Sequence, residues 1–146
     1  MTEKKLKIKI VTPEKIILKE EYDEVTIPTT AGEVGILPRH SPLVAALKPG
    51  EVRLKKDGVT NTMAVSSGFI EVRPGSKLII LADTAERAED IDIERAEVAR
   101  QRAEEMLKEK QHAEDVDYAK MQALIEKEMA RVKVGRKYKK LPQARQ

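Results

Sequence analysis

Glycine and proline are unevenly distributed along the chain, and this limits the secondary structure that each part can form. Six of the seven glycines and six of the seven prolines lie between residues 13 and 75. The next glycine is Gly135, so a long stretch after Asp83 contains neither residue. Because glycine and proline mark turns and end helices, the sequence divides into a turn-rich first part and a helical second part.

Short segments in which apolar and polar residues alternate lie between the turn signals of the first part. In LKIKIV, residues 6–11, Leu6, Ile8 and Ile10 would share one face of a strand, and Lys7 and Lys9 the other. Comparable segments recur between turn signals ~8–12 residues apart. This spacing favours an all-β sandwich or barrel, and a β domain of this length can bury a modest core.

The second part is rich in Ala, Glu, Arg, Lys and Leu, which are good helix formers. The segment DTAE, residues 83–86, matches a capping box and predicts that a helix starts there. Beyond it, apolar residues recur at helical spacing along two separate stripes. The stripes are Ile93, Ala96, Ala99, Ala103, Met106 and Leu107, and then Tyr118, Met121, Leu124, Ile125, Met129 and Val132.

Residues 110–117, KQHAEDVD, separate the two stripes, with Asp115 or Asp117 expected as the N-cap of the second helix. Two helices with a short connection predict an antiparallel helical hairpin. The apolar face of the first helix is mostly alanine, and burial of a methyl group contributes much less than burial of a leucine side chain. The hairpin should therefore be weakly held and able to move relative to the β domain.

The charges are also unevenly distributed, although the net charge is only +3. Residues 86–126 carry 7 basic and 13 acidic side chains, whereas residues 127–146 carry 8 basic side chains and Glu128 as the only acid. A basic end behind an acidic helical segment can bind nucleic acid, a membrane surface or an acidic protein.

Composition argues against several function classes. The chain has no cysteine, which excludes a disulfide framework and cysteine–zinc chemistry. No apolar run approaches the ~18 residues that a membrane-spanning helix requires, so we expect a soluble protein that meets a membrane only through partners. With four aromatic residues, the chain gives little support for base stacking.

His40 lies in GILPRHSPLV, residues 35–44, a segment with two prolines and no acidic residue. Neither His40 nor His112 has the neighbouring nucleophile, orienting group or ligand spacing that catalysis or metal binding requires. No phosphate-binding glycine loop is present either. We therefore expect no catalytic residue and no metal site, and interpret His40 as a structural or contact residue.

One face of the first predicted helix carries Asp92, Arg95, Ala99 and Arg102, which are spaced 3, 4 and 3 residues apart. A carboxylate and two guanidinium groups on one face can hold a phosphate-bearing ligand. The alternative is a set of ion pairs within the helix on a solvated face, which is the commoner outcome for such a run.

Six longer motifs occur in the order found in one known family. They are TPEK (12–15), GEVGILPRHSPLV (32–44), LKPGEVR (47–53), SGFIEV (67–72), ILADTAER (80–87) and IDIERAEVARQRAEEML (91–107). On these motifs the chain resembles the epsilon subunit of bacterial F-type ATP synthase, over roughly residues 6–132. The resemblance implies an α+β fold, with an N-terminal antiparallel β-sandwich over residues 1–85 followed by a C-terminal two-helix antiparallel hairpin with a basic tail over residues 86–146.

The resemblance also implies a non-catalytic subunit of the central stalk that needs no cofactor. The sandwich would dock on the gamma subunit and on the c-ring, and would help to couple rotation to ATP synthesis. The hairpin would extend into the alpha/beta hexamer and inhibit ATP hydrolysis. The protein would lie at the cytoplasmic face of the bacterial plasma membrane, attached only through the complex. The docking residues implied for the sandwich are Glu33, His40 and Pro42.

ATP is implied as a regulatory ligand of the hairpin, because the family motif I/L-D-x-x-R-A is present at residues 91–96. ATP-binding members of the family add two arginines on the second helix, where this chain has Lys127 and Arg131. A lysine is a point charge and not a bidentate fork, so weaker phosphate binding is expected. The implied ATP-binding residues are Glu86, Ile91, Asp92, Arg95, Ala96, Arg102, Lys127 and Arg131. The implied inhibitory contacts with an acidic region of the beta subunit are Arg131, Lys133, Arg136 and Lys137.

Two other function classes compete with this interpretation. A nucleic-acid binder would use the basic end, but KVGRKYKKLPQARQ, residues 133–146, has one aromatic residue and no base-reading motif, so we expect no nucleic-acid partner. A free-standing small-molecule sensor would bind ATP without needing the gamma subunit.

Overall fold

The computed structural model of the chain describes residues 5–109 and 118–140. In these ranges ten strands precede a short 3-10 turn, Ala88–Asp90, and two helices. The strands are β1 Leu6–Val11, β2 Ile16–Tyr22, β3 Glu24–Thr29, β4 Gly32–Ile36, β5 Leu43–Leu47, β6 Gly50–Lys56, β7 Val59–Val65, β8 Gly68–Arg73, β9 Lys77–Ala82 and β10 Ala85–Arg87, and the helices are α1 Ile93–Glu109 and α2 Tyr118–Lys140. Within these ranges, no helix is long and apolar enough to cross a lipid bilayer.

The strands form one continuous hydrogen-bonded sheet that wraps around a single core. Their order is β10-β7-β6-β3-β5-β8-β9-β1-β2, with β4 paired to β3. Among the described pairs only β1 and β9 run parallel, in the register Ile8 to Leu78. The predicted fold class, an antiparallel β-sandwich followed by a two-helix hairpin, is confirmed, with this one parallel pair as an addition.

Alternation along the strands places the apolar residues inside the sandwich. In β1 the alternate residues Leu6, Ile8 and Ile10 are buried, as the sequence pattern predicts. Tyr22 is also fully buried, and its hydroxyl donates a hydrogen bond of 2.7 Å to Glu20. Burial, reinforced by the Glu20 carboxylate, raises the pKa of Tyr22 to about 12.

The first helix begins later than the sequence predicts. The prediction that a helix starts at the capping box, residues 83–86, is wrong, because Ala85–Arg87 form β10 and pair antiparallel with β7. Asp92 is the actual cap of α1: its Oδ1 accepts a hydrogen bond of 3.1 Å from the backbone N–H of Arg95. Backbone pairing with a distant strand therefore outweighs the local helix signal in DTAE.

The two predicted apolar stripes are only partly confirmed. On α1 the buried residues are alanines, Ala96 and Ala103, as expected. On α2 Leu124 and Met129 are exposed, whereas Glu128 is buried. The buried face of α2 differs because this helix contacts both α1 and the sandwich strands β6 and β7. His112 and the expected caps Asp115 and Asp117 lie outside the described residues.

A glycine inside α2 permits the close packing of the hairpin. A Cβ at Gly135 would come within 2.7 Å of Cγ1 of Ile93 and 3.2 Å of Cγ2 of Ile91. Glycine inside a helix costs about 1 kcal/mol relative to alanine, and here it allows the end of α2 to lie against the start of α1. Next to this contact, Val134 packs with Ala64 and Ala88 in a small second apolar cluster.

Candidate functional site

A cavity of about 300 Å³ lies between the edge of the sandwich and α2. Strands β7 and β10 supply one wall, and α2 supplies two basic side chains on the other. The lining residues are Ala64, Val65, Thr84, Ala85, Glu86, Lys127 and Arg131. The cavity therefore brings together three residues that the resemblance assigned to ATP binding, one from β10 and two from α2.

Arg131 connects the two walls of the cavity. Its Nε and Nη2 donate to the two carboxylate oxygens of Glu86 at 2.8 and 3.3 Å. Its Nη1 donates to Oε1 and Oε2 of Glu128 at 2.7 and 3.2 Å. The hydrogen bonds with Glu86, and secondarily those with Glu128, raise the pKa of Arg131 above its usual range. Arg131 thus remains a cation that is already shared between two carboxylates.

The local folds explain this arrangement. Glu86 lies in β10 opposite Ala64 of β7, which fixes it to the sandwich edge. Glu128 and Arg131 are three residues apart on α2, so they share a helix face. Lys127 lies one turn before Arg131 and has no ion pair within the described part of the chain.

The other residues assigned to ATP binding lie on or before α1 and do not line this cavity. Ile91 packs against the small apolar cluster of the hairpin, and Ala96 is fully buried. Asp92 caps the helix with its side chain. The side chains of Arg95 and Arg102 are exposed, and neither forms an ion pair with another described residue. The ion pairs within α1 instead join Arg100 to Glu97 and Glu104.

Two basic residues near the end of α2 form ion pairs with the sandwich and with α1. Lys137 Nζ lies 3.0 Å from Oε1 of Glu51 on β6, and Arg136 pairs with Glu97 on α1. Lys133 is exposed and forms no ion pair among residues 5–109 and 118–140. Of the four basic residues assigned to inhibitory contacts, three are therefore engaged within the chain in this conformation.

The residues assigned to c-ring docking lie on β4 and on the following loop. Glu33 forms a two-pronged ion pair with Arg53, at 2.9 and 3.2 Å, which lowers the pKa of Glu33. The half-buried His40 has Nδ1 2.7 Å from the carbonyl oxygen of Ser41, and Pro42 is exposed. Arg39 adopts a φ of 65°, and its N–H donates to Oγ of Ser76 at 2.7 Å. This hydrogen bond fixes the loop to the body of the sandwich.

The outer face of the sheet carries an apolar row that the sequence did not reveal. The strand registers place Ala46, Phe69, Leu81, Val11 and Ile16 side by side across β5, β8, β9, β1 and β2. The Phe69 side chain is among the most exposed, at 60%. Contiguous exposed apolar patches are typical of protein interaction sites, so the row is a candidate docking surface. Only the strand order and register bring these residues together, so no local motif could have identified the row.

Metal ligands are not clustered in the described ranges. There, no group of three or more His, Cys, Asp or Glu side chains could hold a metal ion.

Two family models match successive parts of the chain. Residues 5–88 match the model described as ATP synthase, Delta/Epsilon chain, beta-sandwich domain. Residues 89–135 match the model described as ATP synthase, Delta/Epsilon chain, long alpha-helix domain. Together these models cover most of the sequence.

Similar curated proteins carry the same family assignment. The ATP synthase epsilon chain of Desulforamulus reducens is 46% identical over 129 residues, which are 88% of this chain and 96% of the relative. The ATP synthase epsilon chain of Geotalea uraniireducens is 47% identical over 133 residues, which are 91% of this chain and 95% of the relative.

Two solved structures share the fold. A chain of the Euglena gracilis mitochondrial ATP synthase, in a structure of OSCP, F1 and the c-ring, aligns with a TM-score of 0.67 and 25% identity, over 88% of this chain and 78% of that chain. A chain from a structure of the central stalk and c-ring of the Tetrahymena thermophila mitochondrial ATP synthase aligns with a TM-score of 0.59 and 14% identity, over 94% of this chain and 98% of that chain. The chain therefore belongs to the ATP synthase delta/epsilon family and, within it, to the epsilon chains of the bacterial F-type enzyme.

Proposed function

We propose that the chain is a non-catalytic subunit of the central stalk of an F-type ATP synthase, where it helps to couple rotation to ATP synthesis and inhibits ATP hydrolysis through its hairpin. It would act at the cytoplasmic face of the bacterial plasma membrane, held there by the complex. The observation that carries the inhibitory role is the weak attachment of α2 to the sandwich. That attachment consists of a small apolar cluster and of ion pairs at the edges of the contact.

The attachment is weak for identifiable reasons. The buried members of its apolar cluster, Ala64, Ala88 and Val134, are small, and the larger Ile91 and Tyr138 that pack against them are only partly buried. Two ion pairs join α2 to the sandwich. Lys137 and Glu51 form a partly exposed pair, and such pairs contribute about 0–1 kcal/mol. Arg131 and Glu86 form a two-pronged pair that is also partly open to water. A hairpin held in this way can exchange between a folded and an extended state.

Release of the hairpin would expose a basic surface on α2. Lys137 would leave Glu51 and Arg131 would leave Glu86, because both carboxylates belong to the sandwich. Arg136 is exposed beside its α1 partner Glu97, and Lys133 forms no ion pair among the described residues. Basic side chains on one helix complement an acidic surface and speed its docking. An acidic region of the beta subunit, in the alpha/beta hexamer, is the proposed partner of the extended form.

ATP is the proposed ligand of the folded form. The cavity of about 300 Å³ is at the lower end of the sizes that small-molecule sites occupy. Lys127 and Arg131 supply positive charge for phosphates, and Arg95 and Arg102 on α1 are exposed. By binding between the sandwich edge and α2, ATP would hold the hairpin on the sandwich and relieve inhibition.

The sandwich is proposed to make two contacts within the stalk. The apolar row around Phe69 suits a protein partner, and the gamma subunit is the proposed one. The rigid loop that carries His40 and Pro42, together with Glu33, suits the polar loops of the c-ring. A fixed loop transmits force between rotating parts better than a mobile one, and its hydrogen bond to Ser76 provides that rigidity.

Phe69→Glu is expected to weaken binding to the gamma subunit by about thirtyfold, because it removes an aromatic anchor and introduces a charge into an apolar contact. Val59→Glu is the matched control, since Val59 is also an exposed apolar residue but lies at the tip of β7, outside the row. Binding of the purified chain to immobilised gamma subunit gives the measurement. Equal binding by Phe69→Glu and by the unsubstituted chain would rule out this docking surface.

A further inference from the structure

Glu128 is the only carboxylate that is buried within the described ranges. Its side chain is only 3% exposed and lies on α2, a turn away from Arg131. Both of its oxygens accept hydrogen bonds from Nη1 of Arg131, and no other partner for its side chain is present among the described residues. A buried carboxylate that loses its single counterion is strongly disfavoured.

Arg131 cannot give a phosphate a two-pronged contact and keep both of its present partners. All three guanidinium nitrogens donate to Glu86 or Glu128. A phosphate group that needs the planar fork of Arg131 must displace one of these carboxylates. The displaced group loses hydrogen bonds, and for Glu128 it loses them in a site that water barely reaches.

The two carboxylates differ in how they move. Glu86 belongs to the sandwich, so it leaves Arg131 when the hairpin opens. Glu128 belongs to the same helix as Arg131 and moves with it, in the folded and in the extended state alike. Lys127, Arg131 and Glu86 line the cavity, and Glu128 lies behind Arg131 as its buried ion-pair partner. Over these four side chains the formal charges cancel. An anionic ligand therefore meets little net attraction.

From this geometry we propose that Glu128 is an internal competitor of nucleotide phosphates. It occupies Arg131 in the place of a phosphate and lowers the affinity of the cavity for ATP. Glu128 is then the residue that sets the ATP concentration at which the hairpin responds. This inference rests on the ATP site of the proposed function and adds a determinant that the family motif does not contain.

The test compares ATP binding by the full-length chain and by Glu128→Gln in isothermal titration. Neutralising Glu128 frees one side of the Arg131 fork and gives the cavity a net positive charge, so about tenfold tighter ATP binding is expected. Glu126→Gln is the matched control, because it makes the same charge change at an exposed position of α2. Its affinity is expected to stay within about twofold of the unsubstituted chain.

Because Glu128 competes with the phosphates of ATP, the phosphate chain and the nucleoside can be tested as separate ligands. Inorganic tripolyphosphate is expected to gain affinity in Glu128→Gln as ATP does, whereas adenosine is expected to gain none. Glu128→Ala serves as a second variant if the glutamine side chain perturbs α2, and it is expected to show the same gain. Thermal unfolding of each variant checks that the hairpin and the sandwich remain folded.

The outcomes separate the inference from the function on which it rests. Measurable ATP binding by the unsubstituted chain, with no gain in either Glu128 variant, overturns the competition and leaves the ATP site standing. An equal gain in Glu126→Gln also overturns it, because net charge alone would then explain the effect. No binding by any variant overturns both the competition and the ATP site.

Discussion

An ATP synthase assembled with the chain truncated after Ala88 is expected to hydrolyse ATP about tenfold faster than the complex with the full chain. If the extended hairpin is favoured over the folded one by a free-energy difference of ~1.4 kcal/mol, about ten complexes are inhibited for each one that is not. Truncation removes the inhibited state. The shortened chain ends at Ala88 so that it keeps β10, Ala85–Arg87, which completes the sheet edge beside β7. Steady-state ATP hydrolysis by the purified complex gives the measurement.

The control for truncation keeps both helices and changes only their charge. A chain with Lys133→Gln keeps its helices and the internal ion pairs of Arg136 and Lys137, but loses a basic contact with the acidic partner. We expect this variant to hydrolyse ATP at a rate between those of the full and truncated complexes. An unchanged rate in the truncated complex would contradict the inhibitory role, provided that the sandwich is still present in stoichiometric amount.

Gly68→Ala is expected to destabilise the sandwich by about 3 kcal/mol or more, through overpacking at the backbone. A Cβ at Gly68 would overlap the carbonyl oxygen of Leu81 and lie 2.9 Å from Cα of Ala82. Gly68 pairs with Ala82 in the β8–β9 ladder, so the two strands cannot separate without a loss of hydrogen bonds. Urea unfolding followed by circular dichroism measures the change in free energy.

Gly35→Ala is the matched control for that substitution. The nearest atom to a Cβ at Gly35, Oε1 of Glu24, is 4.0 Å away, and its φ lies outside the left-handed region. The same methyl group should therefore change the free energy of unfolding by less than about 1 kcal/mol. Equal destabilisation by the two substitutions would contradict the packing explanation for Gly68.

The β-sandwich could be predicted because its signals are local. Alternation in LKIKIV and the turn residues between strands depend only on near neighbours, and β1 has the expected buried face. The start of α1 could not be predicted in the same way. The segment DTAE satisfies a helix cap locally, but its last two residues enter a strand that pairs with residues about twenty positions earlier.

The candidate site was predictable only in part. Glu86, Lys127 and Arg131, which the resemblance assigned to ATP binding, line one cavity, whereas the motif residues 91–96 do not line it. Glu128 was missed because an acid three residues from an arginine usually forms a solvated ion pair, and sequence gives no sign that this one is buried. Burial of Glu128 depends on how α2 packs between α1 and the sandwich, which is a tertiary property.

The central claim, that release of the hairpin from the sandwich causes inhibition, has a direct test in the assembled complex. The chain has no cysteine, so Glu51→Cys with Lys137→Cys supplies its only two thiols, at positions whose native side chains are in contact. A cleavable crosslinker between these thiols would hold the hairpin folded. We predict that the crosslinked complex hydrolyses ATP as fast as the truncated one, and that cleavage of the crosslink restores the slow rate. A crosslinked complex as slow as the same double variant without crosslinker would contradict the claim.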